Sequence, residues 1–496
     1  MKKISGHIIL WIIICAGITF GILKGGTQPV NGETALRNLA TDTSQAPLQS
    51  IRNTDRFLSL SDLHFDPFAF PGLTDTLLRS PVQQWKGIFA AAAAKYGYGD
   101  YGDDTNYNLF LSALNKMRAV NPRPHFIVMT GDFISHDFGM NFQQSTGITN
   151  RDTLFSFVFK TLQFVTNTIE SYFPGIPLLP ALGNNDSYCG DYQAETSGVF
   201  YPQVGKLWYP LVQKLVSQQA FMRSFTAGGY YVASNPANSN HKIIVLNTVI
   251  YSTSFDATKY PNYCKTTPLV KTQKTSQLGW LRGQLQLCRQ EKKKAWLVYH
   301  IPPGINAYSS SGGYGSCVQN ITSFWNDSVT RVFTGLLAEY KDVVQLNMAG
   351  HTHMDNFELF TDSISGPYNF VHITPAISPI FNNSPAFEEI TYNKQTAGWI
   401  DYTAYYLGNL HTTNPKPWDV EYNFSKAYGV TAITPQSLQQ VYQKIYSDTA
   451  IRKQYITYYD ASNPSFTAIT PKNFMFYWCA IGSIGKQQYA GCACPK

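Results

Sequence analysis

Five short stretches of the chain carry residue types that bind metal ions or move protons. Asp62-Leu63-His64 sets a carboxylate and an imidazole two positions apart, and Gly131-Asp132 offers a second carboxylate. Gly183-Asn184-Asn185-Asp186 offers amide and carboxylate oxygens, His300 stands in YHIPPG, and Gly350-His351-Thr352-His353 sets two imidazoles at alternate positions. Singly, each is weak, because Gly, Asn and Asp are ordinary turn residues and a lone His at a strand end is more often structural. Together they supply seven metal-type ligands: Asp62, His64, Asp132, Asn184, His300, His351 and His353. Imidazole and carboxylate without thiolate suit divalent Zn first, with Fe or Mn as alternatives, and disfavour Cu(I) and iron–sulfur clusters. Seven ligands exceed what one tetrahedral ion takes, whereas two ions sharing a carboxylate use them all. Two metals close together acidify a water and neutralise phosphoryl oxygens during in-line displacement at phosphorus.

Each ligand stretch closes a short apolar run. FLSL precedes Ser61-Asp62, FIVMT precedes Gly131-Asp132, and LLPAL precedes Gly183-Asn184. AWLVY precedes His300, VVQLNMA precedes Gly350-His351, and a sixth run, IIVL, precedes Asn247. Runs of this length bounded by turn signals read as buried strands. Residues 108–120 and 152–172 have room for helices between them, and Ala90 to Ala94 reads as a helix entering a loop. Alternating strands and helices predict an α/β fold around a mixed sheet, with ligands where such sheets build their sites, at strand ends. Residues 386–496 read as a helix-containing C-terminal region with a Cys-rich tail. Within it Thr434 and Pro435 fit N-cap and first helical position, and Leu438, Val441, Tyr442, Ile445 and Tyr446 fit one apolar face.

The 496 residues, 44% apolar and 14% charged, are globular in composition and long enough for two or three domains. A net charge of +7 is mild at this length, and no basic stripe points to a nucleic-acid duplex. Lys2 and Lys3 ahead of the uncharged stretch from Ile8 to Leu23 follow the plan of an export signal over residues 1–24. An uncleaved N-terminal membrane anchor is the second reading, and the one membrane contact expected. Residues 25–54 form a polar linker. Both readings put the chain outside the cytoplasm, secreted or anchored, where disulfides form. Seven cysteines follow Cys15, which predicts a few bridges with one thiol left over or paired to another chain.

The order D-x-H, GD, GN, H, GHxH resembles the signature of calcineurin-like metallophosphoesterases. GDFISHD, with His136 four residues after Asp132, is similar to the acid sphingomyelinase-like phosphodiesterase branch, which includes endopolyphosphatase-like members. HIPPG, LNTVIY at 246–251 and QLGWL at 277–281 are similar to the same branch. The likeness runs over 55–385, taken as the catalytic domain. It implies a four-layer α/β sandwich around mixed sheets and two divalent metal ions. One ion takes Asp62, His64, Asp132 and His353; the other takes Asp132, Asn184, His300 and His351, with Asp132 bridging. A hydroxide between them would attack phosphorus.

The chain departs from that pattern at Asn185, where the family usually has a His credited with helping the leaving group. An amide donates a hydrogen bond but surrenders no proton at neutral pH, so His136 becomes the substitute acid. The interval 25–54 is short for the saposin-like domain of paired-cysteine helices that sphingomyelinase carries ahead of its core, and it holds no cysteine. Asp103-Asp104-Thr105-Asn106 stands where relatives carry Cys-Asp-Ser-Pro. The leading expectation is an exported phosphodiesterase acting on a phosphorylated small molecule or lipid headgroup. The second is a phosphoanhydride hydrolase acting on polyphosphate or nucleotides, whose leaving group needs little protonation. The third is a metal-stabilised surface or adhesion module without catalysis.

Overall fold

The computed structural model describes residues 53–195, 198–255, 264, 270–311, 317–362, 364–410 and 418–494. The expected export segment, and the linker up to residue 52, lie outside them. From Asn53 onward the chain forms one compact unit.

Twelve strands make two six-stranded sheets among the described residues. The first is built from β1 (Thr54–Leu60), β2 (Ile127–Met129), β3 (Leu178–Pro180), β10 (Ala386–Asn393), β11 (Trp399–Tyr406) and β12 (Asp419–Asn423), in the order β12-β11-β10-β1-β2-β3. The second holds β4 (Tyr231–Asn235), β5 (Asn238–Val245), β6 (Lys294–Val298), β7 (Val344–Ala349), β8 (Asn356–Asp362) and β9 (Gly366–Ile373), in the order β4-β5-β6-β7-β9-β8. In the first sheet β1, β2 and β3 run parallel, while β10 lies antiparallel to β1. In the second, β5, β6, β7 and β9 run parallel. All six apolar runs of the sequence form strands, and the fold is the mixed α/β type expected.

The runs are continuously apolar because each strand is covered on both faces. On β6, Trp296 and Val298 join the cluster containing Phe57 and Tyr392 of the first sheet. Their neighbours Ala295 and Leu297 join Leu281, Leu285, Phe333 and Leu336 of the helices Val270–Gln290 and Asp327–Glu339. Trp296 bridges the sheets, its ring 5.4 Å from Phe57 and 5.0 Å from Tyr392. The two expected helices span Tyr107–Val120 and Arg151–Tyr172, capped by the Asn106 and Asn150 side chains. Ala90 to Ala93 end the helix Val82–Ala93.

In the C-terminal region Thr434 caps the helix Pro435–Ser447, accepting from the Ser437 N–H at 3.1 Å. Leu438, Val441 and Ile445 are buried, but Tyr446 departs from the expected apolar face and is 49% exposed. It sits over Trp478 at 4.6 Å, at the rim of the contact rather than within the core. Cys189–Cys264, Cys317–Cys494 and Cys479–Cys492 are bridged, leaving Cys288 free and buried, as the odd count required. Among the described residues no helix is long and apolar enough to cross a membrane.

Candidate metal centre

The ligand stretches follow β1, β2, β3, β6 and β7, at the ends where the parallel strands of both sheets finish. There the backbone turns sharply. Asp62, His64, Asp132, His351 and His353 all have positive φ, between 43° and 75°. Each such residue costs about 1–3 kcal/mol, a strain that persists where neighbours over-determine the loop. Glycine precedes Asp132, Asn184 and His351 because the loops nearly touch. A Cβ on Gly131, itself at φ 118°, would lie 2.7 Å from His300 Nδ1, and one on Gly183 would collide with the Asp132 carboxylate.

The side chains converge. His64 Nε2 lies 3.1 Å from His353 Nε2, 3.4 Å from Asp132 Oδ2 and 3.7 Å from Asp62 Oδ1. His353 Nε2 lies 3.4 Å from Asp62 Oδ1. His300 Nε2 lies 3.2 Å from Asp132 Oδ2 and 2.9 Å from Asn184 Oδ1. Asp132 Oδ2 thus stands between the two groups. His351 flanks them, its ring 5.1 Å from that of His300.

The hydrogen bonds around these rings decide what the centre can hold. His64 Nδ1 faces the Ile134 carbonyl at 3.1 Å and His300 Nδ1 faces the Thr130 carbonyl at 2.9 Å. A ring that donates from Nδ1 presents its Nε2 lone pair inward. Asn184 donates from Nδ2 to Asp191 at 2.7 Å, so its oxygen also faces inward. Lone pairs therefore meet lone pairs, and Asp62 Oδ1 is buried with no hydrogen-bond donor. Acceptors gathered this closely need cations. Protons would otherwise have to serve. Burial opposes charge on His64, but Asp132 and Asp62 push it up to about 10; Asp132 and Asp62 likewise bring His300 to about 9. Burial would raise Asp132 and Asp62, yet the surrounding imidazoles hold both well below the carboxylate range. Burial and the charge of His300 push His351 down to about 3, and burial holds His353 at about 3 against the pull of Asp62. Two divalent cations fit this donor set and would return His64 and His300 to neutral ligands.

His136 is brought beside the centre. Its ring stacks on His64 with centroids 3.9 Å apart, and its side chain is 27% exposed to the cavity that His351 and His353 line. Asp104 holds it, accepting from the His136 backbone N–H at 2.8 Å and meeting Nδ1 at 3.0 Å. Asn185 turns the other way. Its backbone N–H and side-chain amide clamp the two oxygens of Asp132.

Three residues support the site, of which Asp186 was named in the sequence without a role and Asp191 and Tyr192 were not singled out. Asp186 accepts backbone N–H groups from Gly183 at 2.7 Å, Asp132 at 3.1 Å and Phe133 at 2.6 Å, strapping together the loops after β2 and β3. Asp191 orients Asn184, and the Tyr192 hydroxyl meets His351 Nε2 at 3.1 Å. Asp186 stands inside a ligand stretch and reads there as a turn residue. Asp191 and Tyr192 have no local signal.

Residues 55–355 match the calcineurin-like phosphoesterase family, and residues 367–495 match the acid sphingomyelin phosphodiesterase C-terminal region. Among curated proteins, cyclic GMP-AMP phosphodiesterase SMPDL3A of Homo sapiens is 28% identical over 452 residues, covering 88% of this chain and 89% of that one. Sphingomyelinase phosphodiesterase C of Dictyostelium discoideum is 25% identical over 427 residues, covering 83% and 86%. A dimetal phosphatase from Danio rerio superposes with a TM-score of 0.38 at 14% identity, over 71% of this chain and 95% of that one. The convergence of strand-end ligands and the family match over more than half its length agree: the chain belongs to the calcineurin-like phosphoesterases, with an acid sphingomyelinase-type C-terminal region, and is a metal-dependent phosphoric ester hydrolase.

Proposed function

We propose that the protein is an exported phosphodiesterase that cleaves a phosphodiester carrying one bulky organic substituent. The observation behind this reading is the cavity beside the metal ligands. It holds about 1010 Å³, and no Lys or Arg is among its described lining residues. A polyphosphate chain brings several charges and calls for cations along its length. A phosphodiester brings one charge, which a dinuclear centre meets alone. Phe324, Phe381, Tyr459 and Tyr477 give the cavity aromatic surface suited to an organic group. The curated relatives named for cyclic GMP-AMP and sphingomyelin phosphodiesterase activity support the phosphodiester class.

Two divalent ions, zinc foremost, would supply Lewis acidity at the phosphoryl oxygens and an acidified water. Asp62, His64, Asp132 and His353 would hold one, and Asp132, Asn184, His300 and His351 the other. The chain's own residues do the rest. His136, fixed by Asp104 through Nδ1, is left with Nε2 to give a proton to the departing alkoxide. Asn185 fixes Asp132 and takes no part in proton transfer. Three disulfides suit an oxidising compartment.

Metal-loaded protein assayed on bis(p-nitrophenyl) phosphate, inorganic polyphosphate and nucleoside triphosphates tests the reading. Phosphodiester turnover is expected to exceed the others in kcat/KM. Faster phosphate release from polyphosphate removes it, and silence on every substrate with both metals bound favours a non-catalytic module.

A further inference from the structure

Glu358 lines the catalytic cavity from β8. Side chains alternate along that strand: Phe357 and Leu359 enter the core, while Asn356 and Glu358 reach the cavity. Glu358 is 3% exposed, yet its Oε2 has no hydrogen-bond partner among the described residues. Buried carboxyl groups are ordinarily paired, and an orphan in a substrate cleft is a group waiting for a ligand. Room for it is made by Gly304, four residues past His300, where a Cβ would collide with both carboxylate oxygens.

The surroundings select the ligand. Asp191 lines the same cavity, Tyr459 and Tyr477 add aromatic rings, and no Lys or Arg among the described lining residues competes for the carboxylate. Burial pushes Glu358 up to about 8. Without a partner it therefore keeps its proton through neutral pH, and a cation beside it restores the ionised acceptor. A quaternary nitrogen would meet the charge but leave the oxygen without a donor. A protonated primary amine meets both.

We propose that Glu358 forms a subsite for a primary ammonium group on the organic substituent of the substrate, accepting its N–H. This rests on the phosphodiesterase reading above. The test uses the metal-loaded full chain with three p-nitrophenyl phosphodiesters: bis(p-nitrophenyl) phosphate, the ethanolamine phosphate ester and the choline phosphate ester. The ethanolamine ester is expected to exceed the choline ester by about tenfold in kcat/KM, the size of one charge-assisted hydrogen bond. Glu358→Gln should bring that ratio near one by raising KM for the ethanolamine ester. Equal values or a choline preference in the wild type overturns the proposal whether or not the variant folds, and so does a ratio that survives Glu358→Gln. No turnover of bis(p-nitrophenyl) phosphate removes the phosphodiesterase reading instead. The subsite is then decided by calorimetric binding of phosphoethanolamine against phosphocholine, where equal affinity overturns it.

Discussion

Asn185 grips Asp132 at both oxygens, its backbone N–H on Oδ1 at 2.8 Å and its side-chain amide on Oδ2 at 2.9 Å. The residue that stands in place of the family's proton donor is therefore spent on orienting the carboxylate at the middle of the metal centre. Asn185→Ala keeps the backbone bond and loses the amide. Removal of such a supporting partner costs about 10- to 100-fold in metal affinity. Metal retention during chelator titration is expected to weaken by about that factor; unchanged retention would mean that the amide has another task.

Asp132 and Asp62 differ in reach. Asp132 Oδ2 is 3.4 Å from His64 Nε2 and 3.2 Å from His300 Nε2, whereas Asp62 Oδ1 is nearest His353 Nε2 at 3.4 Å and lies 3.9 Å from His300 Nε2. Asp132→Asn should deplete both ions and Asp62→Asn mainly one. Elemental analysis after gel filtration reads the difference directly. Equal depletion by the two variants would show that Asp132 is not shared.

The candidate ligands were legible in the sequence because each stands just past an apolar strand, with glycine directly before three of the five stretches, at Gly131, Gly183 and Gly350. Their partners were not. Asp186 reaches Asp132 across 54 positions and Asp104 reaches His136 across 32, so neither bond leaves a periodic trace. The same holds for β10, which starts at Ala386 and completes the first sheet beside β1, pairing Thr54 with Asn393. Hydrophobic patterning finds a buried strand but does not say which edge it joins. The exposure of Tyr446 is the converse error, since helical spacing puts it on an apolar face whose edge lies outside the packed surface.

His136 and Asp104 form a second pair with consequences for rate. A positioned acid contributes about 10²–10⁴-fold when the leaving group is a poor one. His136→Ala should therefore slow alkyl phosphodiesters by that order and nitrophenyl esters, whose leaving group departs unprotonated, by far less. Asp104→Asn should show the same selectivity in weaker form, because it loosens the ring without removing it. Stopped assays on paired alkyl and nitrophenyl substrates check both variants. Equal losses on the two substrates would take the acid role from His136.

Asp460 provides a pH dependence of stability outside the candidate metal ligands. It is 2% exposed and accepts the Ala468 N–H at 3.0 Å, and burial raises its carboxyl to about 7 despite that bond. In the unfolded chain the group titrates near 3.8. Between those values the folded protein keeps a proton that the unfolded chain has lost. Its stabilising effect is complete below the lower value and declines as pH rises through the higher one. Asp460→Asn has no proton to release and retains an acceptor for Ala468. The Tm of the variant should match the wild type near pH 4 and exceed it increasingly toward pH 8. Comparing the two proteins cancels the other buried acids that titrate over the same span. A Tm difference that stays constant across this range would mean that Asp460 is ionised in the folded state.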